Sequence, residues 1–256
     1  MSMQADLSLA RRAMALMDLT ELGDGADEAA VRHLCATARG GNGIPAVAAV
    51  CVWPRHVRLA RQELAGIRVA TVVNFPTGGH ALADVQHETR MAMSDGADEI
   101  DFVLPYRMFL AGGAGVCDLM LRLVRGDIPF GKRLKVILET GAFPDAASIR
   151  RAADLTIAAG ADFIKTSTGK IATGATPEAA RVMLEAIRAA GRPVGLKPSG
   201  GIRTLADARL YLDLADSVMG PGWARPETFR FGASGLHASL AAVIKSDAPP
   251  TAQLRY

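Results

Sequence analysis

Three polar residues stand inside stretches that otherwise read as buried strand: Asp101 in EIDFVLP, Lys165 in FIKTSTGK and Lys197 in GLKPSGG. Side chains alternate across a strand with a period of two. Lys165 therefore shares a face with Phe163 and Lys197 with Gly195, while Ile164, Val194 and Leu196 take the opposite face. If the apolar face packs on helices, both lysines point inward. Burial disfavours the ammonium form, and two inward lysines on consecutive strands repel, so one gives up its proton. A neutral amine is a nucleophile toward a carbonyl. Asp101 shares inward parity with Glu99. A carboxylate near two lysines is a general base or proton shuttle acting through water, or a buried salt-bridge partner, and the two roles are compatible. Lys135 and Glu139 have inward parity on the strand between and read as a supporting ion-pair layer. For either lysine alone, a surface position at a strand end is the simpler reading; the two in phase on consecutive strands point to chemistry.

A second constellation suits an anion. Three glycine-bearing turns follow the last strand-like runs: Ser167-Thr168-Gly169-Lys170, Ser199-Gly200-Gly201 and Gly232-Ala233-Ser234-Gly235. Glycines let backbone N–H groups approach a phosphate, and a following helix N-terminus adds a favourable dipole. Simple tight turns are the alternative. Gly169-Lys170 lacks P-loop spacing, and Gly112–Gly115 does not sit between a strand and a helix as a dinucleotide fingerprint would. The five histidines form no ligand pattern, so no metal and no cofactor is expected. Trp53 and Trp223 read as packing or rim residues. Cys51 reads as structural, with a place on the pocket wall as the alternative.

The elements that must position these residues alternate. Eight strand-like runs cover Val47–Trp53, Arg68–Phe75, Glu99–Leu104, Leu134–Glu139, Phe163–Thr166, Val194–Lys197, Ser217–Met219 and Phe229–Gly232. Alanine-rich helical stretches separate them. One runs from His80 to Gly96, one from Pro144 to Gly160, and one opens on Thr176-Pro177-Glu178, a hydroxyl cap followed by a first-turn proline, and ends at Gly191. Two Gly-Ala-Asp steps, 96–98 and 160–162, each join a helix end to the next strand. Alternation of this kind implies parallel strands with right-handed crossovers. Eight units favour a closed (β/α)₈ TIM barrel, which takes about 250 residues, against 256 here. Residues before about 45 are expected to form extra N-terminal helices covering the barrel, and Ser246–Tyr256 a flexible polar tail. No linker divides the chain, so residues 1–256 read as one domain. In such barrels the site lies at the C-terminal ends of the strands.

Composition narrows the class. The net charge of +3, from 29 basic and 26 acidic residues, is spread out. It lacks the concentrated basic face of a nucleic-acid binder and suits a small anionic substrate. The three cysteines are widely separated, and no apolar run approaches the length that spans a bilayer. The expectation is a reduced, soluble, cytoplasmic protein with no nucleic-acid and no membrane partner.

The runs FIKTSTGK, GLKPSGGIRT, GADEIDFVLPYR, VNFPTG, LMDLT and FRFGAS, spread from Leu16 to the end of the chain, resemble the deoxyribose-phosphate aldolases. The resemblance implies a class I reaction without metal: reversible cleavage of 2-deoxy-D-ribose 5-phosphate to acetaldehyde and D-glyceraldehyde 3-phosphate. By position it implies Lys165 as the Schiff-base lysine, Lys197 as the lysine that lowers its pKa, and Asp101 as the acid/base working through water. It places Thr166, Thr168, Gly169, Lys170, Gly200, Gly201, Gly232, Ser234 and Gly235 on the substrate and phosphate loops, and matches Asp18 and the terminal Tyr256, a proton-transfer candidate. It also suggests a homodimer acting on aldehydes and sugar phosphates. Two positions depart from the pattern. Ser199 stands where relatives carry alanine, and Ser234-Gly235 where they commonly carry Ser-Ser; the hydroxyl lost at Gly235 is expected to weaken phosphate binding and to open the site to non-phosphorylated aldehydes. The rivals are another Schiff-base aldolase on the same fold, a barrel sugar-phosphate isomerase, which forms no imine, and a non-catalytic binding protein, against which the intact lysine pair and Asp101 argue.

Overall fold

A computed structural model describes residues 3–246. In chain order the elements are α1 (Met3–Ala15), β1 (Met17–Glu21), α2 (Glu28–Ala38), β2 (Ala49–Val52), α3 (Val57–Glu63), β3 (Arg68–Val73), α4 (Leu82–Ser94), β4 (Glu99–Val103), α5 (Tyr106–Leu110), α6 (Ala114–Asp127), β5 (Arg133–Ile137), α7 (Ala146–Ala158), β6 (Phe163–Lys165), α8 (Pro177–Ala189), β7 (Gly195–Lys197), α9 (Leu205–Met219), β8 (Phe231–Ala233) and α10 (Leu236–Ser246). Eight parallel strands pair in the order β7-β6-β5-β4-β3-β2-β1-β8. Parallel bridges Leu196↔Phe229 and Ser199↔Gly232 join the two ends, so the sheet closes into a (β/α)₈ barrel.

The expected alternation is present, with two corrections. The segment expected to be a helical cover contains β1, whose Met17 and Leu19 face the helices while Asp18 and Thr20 face the barrel interior. The strand expected at Ser217–Met219 is the last turn of α9. Two helices are extra to the repeat: the short α5, which precedes α6 between β4 and β5, and α1. The latter packs on α9 and α10, tied by Arg12 to Asp216 at 3.1 Å and by Arg209 to Asp6 at 2.6 Å.

Strand parity divides the apolar residues into two bodies. Ile100, Phe102, Leu134, Val136, Ile164 and Leu196 belong to the large core between strands and helices. Cys51, Ala70, Val72, Val103 and Ile137 form a small inner cluster, closed above by Phe75 and Tyr106. The rest of the interior is charged. At its base Phe163 fills the space that Gly195 leaves, since a Cβ there would lie 2.2 Å from the ring. The guanidiniums of Arg133 and Arg230 each stand 5.7 Å from that ring.

The two Gly-Ala-Asp steps do the same work twice. Gly96 and Gly160 take φ of 101° and 98°, ending α4 and α7 in a conformation that favours glycine. Asp98 accepts the N–H of Val69 and a bond from Arg61, and Asp162 accepts the N–H of Leu134 and a bond from Arg125. Each aspartate thereby pins the start of the preceding strand, which sets the register that brings the inward residues level.

Candidate active site

Register places Lys165 opposite Lys197 and, on the other side, opposite Ile137. Asp101 pairs with Lys135 on the neighbouring strand. The Asp101 carboxylate lies under three amines: Oδ2 accepts from Lys165 at 2.8 Å and Lys197 at 2.7 Å, and Oδ1 from Lys135 at 2.9 Å. Lys197 also donates to Asp18 Oδ2 at 2.5 Å. Lys135 reaches Glu99 at 2.5 Å and Asp18 at 3.1 Å. Arg230, from the approach to β8, donates to Asp18 at 2.5 Å and to Glu99 at 3.0 Å. All seven side chains are buried.

Charge counting within this cluster is informative. Four basic groups face three carboxylates, so full protonation leaves one cation in excess in a low-dielectric interior. Lys165 is the group with a single acidic partner, Asp101. Burial and then the charge of Lys197 push its amine below the ordinary lysine value, against the opposing pull of Asp101. Burial acts on Lys197 in the same direction, but Asp101 and Asp18 outweigh it and hold that amine above the ordinary value. Lys135 is held well above it by Asp101, Asp18 and Glu99. Although burial works to raise them, Asp18 and Asp101 are held well below the usual carboxylate range by the surrounding cations, and Glu99 is lowered too. Of the three lysines in the cluster, Lys165 alone is shifted down, while Lys135 and Lys197 are shifted up.

Above the cluster opens a cavity of about 460 Å³. Lys165 is on its wall, while Asp101 and Lys197 lie buried beneath. The three glycine turns line it too: Gly169-Lys170 after β6, Gly200-Gly201 after β7, and Gly232–Gly235, which runs from within β8 to the start of α10. Gly200 and Gly201 take φ of 87° and 86°, and Gly200 lies against the backbone of Gly174, so neither position admits a side chain without strain. A Cβ on Gly232 would lie 3.1 Å from Cε of Lys197, so this glycine makes room for the lysine to cross.

Several expected residues take indirect places. The Thr166 hydroxyl is spent inside the wall: it accepts the Ser199 N–H at 3.0 Å and donates to the Ser199 carbonyl at 3.2 Å. Glu139 is not in the ion-pair layer with Lys135; it lies beyond β5 and accepts from Thr168. Lys170 donates to the Leu22 carbonyl at 2.9 Å and to Asp24 at 3.2 Å, with its amine 6.0 Å from the Trp53 ring centroid. The Cys51 thiol, on the inner cluster, is pushed up to about 11 by burial and the Asp101 charge, so it stays protonated at neutral pH. Tyr256 lies outside the described residues. The sequence reading missed Arg230, visible as the polar residue alternating with Phe229 and Phe231. It also missed Arg203 and the Thr20–Gly23 wall of the cavity, which depend on β1 and on the loop after β7.

Among the described residues no group of three or more His, Cys, Asp or Glu is arranged to hold a metal ion, and no helix is long and apolar enough to cross a membrane. Residues 12–238 match the family described as DeoC/LacD family aldolase. A deoxyribose-phosphate aldolase of Agrobacterium fabrum is 48% identical over 259 aligned residues, covering 100% of this chain and 99% of the relative. Among solved structures, the apo form of a chain described as a deoxyribose-phosphate aldolase from Toxoplasma gondii superposes with a TM-score of 0.88 at 30% identity, over 96% of this chain and 99% of that one. A tetrameric deoxyribose phosphate aldolase from Aeropyrum pernix shares the fold, with a TM-score of 0.72 at 24% identity over 97% and 100% of the two chains. This chain belongs to the DeoC/LacD family of aldolases.

Proposed function

We propose that the protein is a class I deoxyribose-phosphate aldolase in which Lys165 forms the Schiff base. One observation carries this reading: Lys165 is the amine that both reaches the cavity and lacks a second carboxylate. Its free amine attacks the aldehyde carbon of open-chain 2-deoxyribose 5-phosphate, and loss of water gives the protonated imine. The imine draws electrons from the bond between C2 and C3. As the C3 hydroxyl loses its proton, that bond breaks to release glyceraldehyde 3-phosphate and leave an enamine. Protonation at C2 and hydrolysis then return acetaldehyde and the free lysine.

Lys197 stays charged and keeps Lys165 neutral before attack. Asp101, a carboxylate with no direct exposure to the cavity, serves the proton transfers through water and holds both amines in line. The glycine turns and the α10 N-terminus receive the phosphate, because fixed N–H donors and a helix dipole favour a dianion there. Lys170 and Ser234 both line the cavity.

We infer further that the protein acts as a homodimer in the cytoplasm and forms one domain. The family resemblance supports the dimer, and Cys35, Cys51 and Cys117, all unpaired and buried, suit a reducing compartment.

Borohydride reduction in the presence of acetaldehyde tests the reading. An ethyl group on Lys165 alone, found by intact mass and peptide mapping, is the expected result. No adduct with acetaldehyde in excess would overturn imine chemistry and favour a barrel isomerase or a binding protein.

A further inference from the structure

Glu139 follows β5 with φ 60° and ψ 56°, in the left-handed region. The other non-glycine residues there, among those described, are Asn42 and Asn74. Asparagine tolerates this conformation because its short side chain bonds locally; glutamate has no such compensation. The residue is fully buried, so the surrounding fold holds it in place against that cost.

Its carboxylate is used on the cavity wall. Thr168 donates its backbone N–H to Oε1 at 3.2 Å and its hydroxyl to Oε2 at 2.5 Å. Thr168 Oγ1 in turn accepts the N–H of Lys170 at 3.0 Å. Because the carboxylate accepts the single hydroxyl proton, the lone pairs of Oγ1 are directed at Lys170. One acid therefore shapes the whole Thr168-Gly169-Lys170 turn, and all three residues line the cavity. Lys165 donates to Asp101 and not to Glu139, so the contact serves the turn and not the nucleophile. Two neighbouring buried hydroxyls, on Thr140 and Ser167, have no hydrogen-bond partner. Strain and unsatisfied groups together mark a place where stability is given up to hold a geometry.

We propose that Glu139 is a positioning residue whose carboxylate latches the Thr168–Lys170 turn in the shape that receives the anionic group of the substrate. The identity of that group as a sugar phosphate rests on the aldolase reading. An amide at this position keeps one oxygen able to accept from Thr168, but it loses the negative charge and puts an NH2 donor where the second carboxylate oxygen accepted.

The experiment compares Glu139→Gln, Thr168→Val and the double variant on 2-deoxyribose 5-phosphate and on 2-deoxyribose, with borohydride trapping of acetaldehyde alongside. Loss of a charge-assisted hydrogen bond should raise KM for the phosphorylated sugar about tenfold in either single variant, and the double variant should add nothing to the singles. In Glu139→Gln, whose side chain does not line the cavity, kcat should stay within about twofold, and KM for the unphosphorylated sugar and the yield of the Lys165 adduct should not change. An unchanged KM for the phosphorylated sugar, or equal losses on both sugars, would overturn the proposal while the wild-type adduct leaves the aldolase reading standing. Absence of the wild-type adduct would remove both.

Discussion

Lys165 and Lys197 hang from the same oxygen, with Asp101 Oδ2 lying 2.8 Å from one amine and 2.7 Å from the other. The second bond that Lys197 makes, to Asp18, breaks the symmetry. With two carboxylates Lys197 is held above the ordinary lysine value; Lys165, buried, with one carboxylate and a cation beside it, is pushed below it.

Replacing Lys197 with leucine removes the like charge and leaves Asp101 to pair with Lys165 more tightly. The Lys165 amine then moves up toward the ordinary lysine value. The acid limb of kcat/KM against pH should shift to higher pH, and turnover at neutral pH should fall on the order of a hundredfold. A profile whose acid limb stays in place would show that Lys197 does not tune the nucleophile.

Arg230 supports the same network from the far end of the barrel. It is 1% exposed and compensates both Asp18 and Glu99. Arg230→Met removes one hydrogen-bonded cation from each carboxylate, while Lys135 and Lys197 still pair Asp18 and Lys135 still pairs Glu99, so the loss is that of a charge-assisted hydrogen bond, about 1.5–3 kcal/mol. For a chain of this size that corresponds to a Tm lower by roughly 3–12 °C. Because Arg230 does not touch Lys165, the folded fraction should still trap acetaldehyde. A variant with wild-type Tm would remove Arg230 from the stabilising network.

The chemistry was more legible than some of the elements that carry it. Lys165 and Lys197 stand out because polar residues at inward parity contradict the apolar runs around them, and register confirms that they face each other. The same feature hid β1. Its inward positions are Asp18 and Thr20, so MDLTE has no continuous apolar run and reads as the end of a helix. Conversely, SVM at 217–219 offers a short apolar and β-branched run, but the fifteen-residue helix that begins with the Thr204 capping box carries through it. Glu139 has the parity of Lys135, yet its left-handed backbone turns it out of the barrel layer and toward Thr168. Parity holds only while the strand does.

Acid stability follows from the three inner carboxylates. Asp18, Asp101 and Glu99 titrate below their ordinary values in the folded protein. A depressed carboxylate contributes stability that is fully present above its unfolded value, about 4, and is lost as pH falls through the folded value. Glu139, which burial raises, acts in the opposite sense and favours the folded state as it protonates. Lys165, shifted down, adds a shallow loss as pH falls until it protonates, and the carboxylates add a steep one, so the Tm by scanning calorimetry should fall most steeply below about pH 4. A Tm with no steeper fall below about pH 4 than above it would mean that the carboxylates do not govern acid unfolding.

Gly235 is the position where the proposed phosphate site invites a gain of function. It lies beside Ser234 at the start of α10, on the cavity wall. A Cβ added there meets nothing within 4 Å, and the backbone does not require glycine, since its φ is not positive. Gly235→Ser therefore places a second hydroxyl next to that of Ser234 without strain, restoring the Ser-Ser pair expected from the family resemblance. A hydroxyl that bonds the phosphate contributes about 1 kcal/mol, so KM for 2-deoxyribose 5-phosphate should fall about fivefold, with kcat and the KM for 2-deoxyribose unchanged. Steady-state kinetics on the two sugars decides the matter. An equal change for both would locate the new hydroxyl away from the phosphate, and no change would mean that the backbone N–H groups of the three glycine turns already saturate it.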